Sequence, residues 1–101
     1  MEIRIPGIPV SAGREFDLRP NDIARIGEEF FVTNGGAVRR MTRDKKEETM
    51  VRLTVKAKRI SSFASDVLSM LPGTSKPWSG FVISLISVKP TNEIRLKIDR
   101  A

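Results

Sequence analysis

The chain of 101 residues contains no cysteine, no histidine and no tyrosine. Without cysteine there is no disulfide and no thiolate nucleophile. Without histidine the usual zinc sites, Ser-His-Asp or Cys-His catalysis and a histidine pH switch are all excluded. The acid-base and nucleophilic candidates that remain are poor ones. Glu28-Glu29 and Glu47-Glu48 are adjacent pairs, so on strands they point apart and in turns they are solvated. Ser61 and Ser62 lie near Lys58, but a Ser–Lys dyad needs a desolvated lysine, which an exposed basic face does not offer. No enzyme activity, metal or cofactor is expected.

Long apolar runs are also missing. No stretch approaches the roughly 18 residues that cross a bilayer as a helix. The first ten residues, MEIRIPGIPV, lack a basic start and an apolar block, and Pro6 and Pro9 interrupt them. The expectation is a cytosolic product, or one assembled from the cytosol into a particle such as a virion. A chain of this length is read as one domain with a modest core.

What is present is charge, unevenly spread. The chain carries 18 basic and 12 acidic residues, a net of +6. Between Val38 and Ile60 lie nine basic residues (Arg39, Arg40, Arg43, Lys45, Lys46, Arg52, Lys56, Lys58, Arg59) against Asp44, Glu47 and Glu48, which accounts for the whole excess. The second half of this stretch alternates Val51, Leu53, Val55, Ala57 with Arg52, Thr54, Lys56, Lys58, the period of a strand with one buried face. Asp44 to Glu48 reads as the loop of a hairpin. The first arm is less regular: Val38 and Met41 fall on opposite faces, which implies a bulge or an arm extending beyond the body with both faces wet.

Along the rest of the chain, Ile3 and Ile5 alternate before Pro6-Gly7-Ile8-Pro9, an edge strand or an N-terminal arm over residues 1–10. Ile23 to Val32 reads either as a helix (Ile23, Ile26 and Phe30 spaced i, i+3, i+7) or as two short strands around Gly27-Glu28-Glu29. The β-prone Phe30-Phe31-Val32-Thr33 favours strands. Asn34-Gly35-Gly36 reads as a turn, and no Lys-Ser/Thr follows to make it a phosphate loop. Phe63, Ala64, Val67, Leu68 and Leu71 fall on one face of a helix, capped by Ser61 or Ser62 and stopped by Pro72-Gly73. Pro72 to Gly80 then reads as a loop carrying Trp78. Phe81 to Val88 is apolar on both faces and so is expected to be covered on both, either central to the fold or in an interface. With Glu93 to Asp99 it makes a C-terminal hairpin.

The expected fold is mainly β: a small five- to seven-stranded barrel or sandwich with one short helix near 62–71. A helix between the third and fourth strands is the OB order, and an SH3-like barrel or a compact sandwich fits the same elements. Two functions follow. One is a structural subunit that uses its arm and basic hairpin to contact other protein subunits in a homo- or hetero-oligomer, for example in a tailed-phage tail, baseplate or connector. The other is a nucleic-acid-binding domain in which Arg39, Arg40, Arg43, Lys45, Lys46, Arg52, Lys56 and Lys58 track phosphates. The absence of any aromatic residue from Ala37 to Ile60 weakens the second, because single-strand binders stack bases on rings. Trp78 is either a lid on the core or a partner contact. No membrane and no small-molecule substrate is expected as a partner. A charged strand face can also be simply solvated, protecting a sheet edge.

Overall fold

A computed structural model describes residues 6–101. The strands are β1 (Ile8–Pro9), β2 (Glu15–Leu18), β3 (Ile23–Ile26), β4 (Phe30–Met41), β5 (Glu47–Lys58), β6 (Phe63–Met70), β7 (Thr74–Trp78), β8 (Phe81–Val88) and β9 (Ile94–Arg100). They form a five-stranded sheet in the order β1-β3-β4-β5-β6 and a four-stranded sheet in the order β2-β9-β8-β7. Buried apolar side chains from both sheets form one core, including Phe30, Val55 and Leu53 from the first and Ile83, Leu85, Leu96 and Ile98 from the second. The mainly-β expectation holds. The architecture is two open sheets rather than a closed OB-like or SH3-like barrel, and its described strands outnumber the five to seven expected.

The helix expected near 62–71 is strand β6, paired antiparallel with β5 from Val51↔Met70 to Lys58↔Phe63. Leu68 and Met70 enter the core, while Phe63 and Val67 face solvent. Edge position explains the misreading. A strand with a neighbour on one side only need not alternate strictly, and Asp66 occupies an inward-phase position where an apolar residue would have completed the pattern. Asp66 Oδ1 accepts the Val67 N–H at 2.8 Å, satisfying a backbone donor that β5 does not. A charge in this phase also discourages edge-to-edge pairing.

The loop expected over 72–80 contains strand β7 and ends in the tight Ser79-Gly80 turn, whose φ values of 52° and 83° are those of a type I′ hairpin. Pro77 is tolerated because β7 is an edge strand. Strand β8 does lie inside its sheet, between β9 and β7. It is not covered on both faces, since Ile86 is 40% exposed and Val82 is half-buried. A register shift between Leu85 and Ser87 changes its phase and lengthens its apolar run. At the start of the described chain, Ile8–Pro9 pairs in parallel with Ala24–Arg25 at the sheet edge. The Ile3/Ile5 alternation lies outside the described residues. The strand–turn–strand reading of Ile23 to Thr33 holds, with Gly27 at φ 54° in the turn.

Asn34-Gly35-Gly36 does not end a strand. It is a bulge within the twelve-residue strand β4, where the register to β5 jumps from Asn34↔Leu53 to Ala37↔Val51. Before the bulge the even-numbered residues Phe30, Val32 and Asn34 face the core; after it the odd-numbered Ala37, Arg39 and Met41 take that phase. Asn34 is fully buried and holds the bulge by three side-chain hydrogen bonds. Its Nδ2 donates to the Leu18 carbonyl (3.0 Å) and to the Asn92 carbonyl (2.9 Å), and its Oδ1 accepts the Gly36 N–H (2.9 Å). It thus ties the long strand to the end of β2 and to the β8–β9 turn. At Gly35 a Cβ would lie 2.9 Å from the Arg52 carbonyl oxygen, so the close approach of β4 to β5 requires glycine there.

Candidate functional site

Beyond the bulge, β4 and β5 leave the body as a two-stranded arm. The molecule measures 52 × 26 × 22 Å, and its radius of gyration of 14.1 Å exceeds the roughly 13 Å of a compact chain this long. Strands reach Met41 and Glu47, so the loop is Thr42–Lys46 and Glu47 and Glu48 belong to β5. The Thr42 N–H donates to the Lys46 carbonyl (2.9 Å), and Lys45 takes a left-handed φ of 59° to close the turn. Of the two alternatives for the first hairpin strand, the wet arm is the one present: the bulge lies upstream, at Asn34/Ala37, and leaves Val38 and Met41 on opposite faces.

The nine residues singled out by sequence do not form one site. Arg39, Arg40, Arg43, Lys45 and Lys46 sit on the arm. Arg39 Nε lies 3.9 Å from Glu47, and its Nη2 reaches the Pro90 carbonyl at 3.5 Å, touching the β8–β9 turn. Arg40 faces Glu48 directly across the ribbon at 3.4 Å. The arm is therefore mixed in charge and partly self-neutralised. It also exposes apolar side chains: Val38 is 51% and Met41 66% exposed.

Arg52, Lys56 and Lys58 lie instead on the outer face of the five-stranded sheet, opposite in phase to the buried Val51, Leu53, Val55 and Ala57. Their neighbours were missed from sequence. Cross-strand register sets Arg25 beside Phe31, Phe31 beside Lys56, and Lys58 beside Phe63. The Phe31 and Phe63 rings approach edge-on across β5, with centroids 6.4 Å apart, and Lys56 Nζ lies 4.5 Å from the Phe63 centroid. Such a cation–π contact at an exposed site contributes about 0.5–1 kcal/mol. The signal for Phe31 was in the sequence: on a strand, Phe30 and Phe31 point to opposite faces, so one of them must be outside. Phe63 was hidden by the helical reading of its segment.

Trp78 is remote from the arm. It ends β7 opposite Phe81, half-buried, and meets the core ring of Phe30 edge-on at 6.1 Å. This is the lid over one end of the core, at the end where Arg100 pairs with Glu29 (2.8 Å) and lies over the Phe81 ring.

On the second sheet and its β8–β9 turn, several charges are paired. Arg95 donates to both Asp17 oxygens, at 3.0 and 3.4 Å. That hydrogen bond holds the Asp17 carboxyl below its ordinary range and raises the Arg95 guanidinium. The Lys89–Glu93 pair at 2.7 Å raises the Lys89 ammonium, chiefly through its hydrogen bond. Among the described residues no cluster of three or more His, Cys, Asp or Glu could hold a metal ion, and no helix is long and apolar enough to cross a membrane. No protein-family model, no curated protein and no solved structure matches the chain.

Proposed function

We propose that the protein is a non-enzymatic assembly subunit of a larger protein complex, with the β4–β5 arm as the element that docks on a neighbouring subunit. The observation that carries this reading is the arm's composition beyond the bulge. Val38 and Met41 are exposed on a ribbon that Arg39 joins to the body by a hydrogen bond to the Pro90 carbonyl. A two-stranded ribbon alone is marginally stable in water. Apolar side chains on such a ribbon gain from cover by another protein, and alternating charges supply register rather than raw affinity. The Arg39–Glu47 and Arg40–Glu48 pairs lower the arm's net charge, which favours a protein surface over a phosphate backbone as its partner. Rings and tubes of small β-subunits, as in a tailed-phage tail, baseplate or connector, are assemblies that this shape suits.

The test is sedimentation velocity of the purified protein across the micromolar range, with chemical crosslinking through the arm lysines Lys45 and Lys46. The expected result is an oligomer, or a stable complex with a second protein, that the double variant Val38→Asp, Met41→Asp loses while its thermal melt is unchanged. A strict monomer that captures no protein through its arm overturns the reading.

A further inference from the structure

We infer that the outer face of the five-stranded sheet is a binding surface for single-stranded nucleic acid, separate from the arm and independent of the assembly reading. Six residues carry it: Arg25, Phe31, Arg52, Lys56, Lys58 and Phe63. Arg25, Phe31 and Lys56 stand side by side on β3, β4 and β5, in one row across the sheet. Lys58 and Phe63 are opposite each other in the next row on that face, and Arg52 lies two rows from Lys56 on the other side. Residues two apart on one strand are about 7 Å apart, so Lys56 and Lys58 are neighbours, while Arg52 stands about 14 Å from Lys56 beyond Thr54 on the same face.

The strip carries bases with no acid among them on the same face. Between the Arg40–Glu48 pair and the Lys58–Phe63 pair, no outward position of β3, β4, β5 or β6 is acidic. None of the ion pairs among the described residues includes Arg25, Arg52, Lys56 or Lys58. The Arg25 Nε–H is buried and has no hydrogen-bond acceptor among them either, although its Nη1 bonds the Gly27 carbonyl at 3.1 Å. Bases on the second sheet with acids beside them do pair: Arg95 with Asp17, Arg100 with Glu29, Lys97 with Asp99. Four like charges without counter-charges on one face repel each other, and a polyanion laid along them relieves that repulsion.

The rings select the class of polyanion. Phe63 is 49% exposed and Phe31 half-buried, and their edge-on contact leaves the exposed ring beside Lys56. A cation beside an aromatic ring on an open sheet face suits a nucleotide, whose phosphate meets the cation while its base stacks on the ring. In a duplex the base faces are covered, and reading its major groove needs a projecting helix or ribbon, which this face lacks. The surface offers backbone neutralisation and stacking without base-edge readout, so binding is largely independent of sequence.

The test is fluorescence anisotropy with labelled oligothymidylate and a duplex of the same length, titrated across salt. Oligothymidylate is expected to bind about tenfold or more tighter than duplex. Four neutralised phosphates on a single strand give a log–log salt slope of about −3. Phe63→Ala is expected to weaken binding about tenfold, the low part of the range for one stacked base. Lys56→Glu with Arg52→Glu abolishes it, and Lys56→Gln gives an intermediate loss. Because these side chains are exposed or line the surface, all variants should melt near the wild-type temperature. An arm control, Arg43→Glu with Lys45→Glu, leaves affinity within about twofold. The inference is overturned by any of four results: no binding at low salt, equal or tighter binding to duplex, loss of binding in the arm control with the face variants unaffected, or full displacement of the oligonucleotide by polyglutamate at matched charge. The last would assign the face to an acidic protein.

Discussion

Asn34 is the residue whose replacement should cost most for its size. Asn34→Ala removes three hydrogen bonds at once: two donated by Nδ2, to Leu18 and Asn92, and one accepted from the Gly36 N–H. The Leu18 carbonyl lies on the buried side of that network, and a stranded buried acceptor costs about 1–3 kcal/mol. The Asn92 carbonyl and the Gly36 N–H are part-buried and can recover water, so each loses only about 0.5 kcal/mol, the low end of a net hydrogen bond. The sum is about 2–4 kcal/mol, a large share of the roughly 5–15 kcal/mol that holds a domain folded. At about 4–8 °C per kcal/mol for a chain this size, the melting temperature should fall by about 10–30 °C. Urea unfolding followed by the fluorescence of the sole tryptophan, Trp78, reads the change directly, because that ring leaves its contact with Phe30 on unfolding. Asn34→Asp sharpens the test. It keeps an acceptor for Gly36 but aims a carboxylate at two carbonyls in a site with no solvent exposure, so burial raises its pKa. It should be less stable than Asn34→Ala near neutral pH and gain on it as the pH falls and the carboxyl takes up its proton. A loss below about 0.5 kcal/mol for Asn34→Ala, with an unchanged denaturant slope, would refute the claim that this network holds the bulge.

Two further outcomes follow from the same geometry. Gly35→Ala drives a Cβ to 2.9 Å from the backbone oxygen of Arg52, so β4 and β5 must part at the bulge, at a cost of about 1–3 kcal/mol measurable by urea unfolding; a neutral effect would mean that the two strands do not approach so closely. Asp17→Asn removes the carboxylate held below its ordinary pKa by the Arg95 hydrogen bond. A lowered folded pKa stabilises the protein above the unfolded value and loses that contribution as pH falls through the folded one, so the gap in melting temperature between wild type and variant should be small, as for any exposed pair, and should close below pH about 4; a gap that persists in acid would point to packing rather than charge.

The parts of the fold legible in the sequence were those where one strand keeps one phase. Val51 to Lys58 and Ile94 to Ile98 alternate cleanly, and the β-prone Phe30 to Thr33 decides between helix and strands for Ile23 to Thr33. The parts misread were those where the phase changes or one neighbour is missing. Two bulges, at Asn34/Ala37 and Leu85/Ser87, reverse which residues face inward partway along a strand. One made a continuous strand look like two with a turn between them, and the other made a half-exposed strand look buried on both faces. Strand β6 failed for the edge reason: Ala64 and Leu68 happen to satisfy a helical spacing as well as an alternating one, and Asp66 between them conceals the alternation. That error carried over to the site. With Phe63 assigned to a helix and Phe31 to the core, the basic stretch looked free of aromatic rings, and the chief objection to nucleic-acid binding rested on that appearance.

The bulge at Asn34 also changes how the net charge should be understood. Read as sequence, Val38 to Ile60 is one basic block. In the structure the bulge divides the β4–β5 ribbon into two lengths with different chemistry. The arm mixes five bases (Arg39, Arg40, Arg43, Lys45, Lys46) with three acids and exposes Val38 and Met41. The outer face of the body carries bases with no acid among them and two rings, Phe31 on the central strand and Phe63 on the edge. Surfaces so different are not explained by one need for solubility, which either alone would satisfy. They are explained if each meets its own partner, a protein along the arm and a polyanion across the sheet. Asn34 anchors the ribbon joining them, tying its bulge to the end of β2 and to the β8–β9 turn. An Asn34 variant that still folds should therefore lose assembly through the arm before it loses binding on the face, since the face is held by the regular β3–β4–β5–β6 register and the arm's direction by the bulge and the Arg39–Pro90 contact.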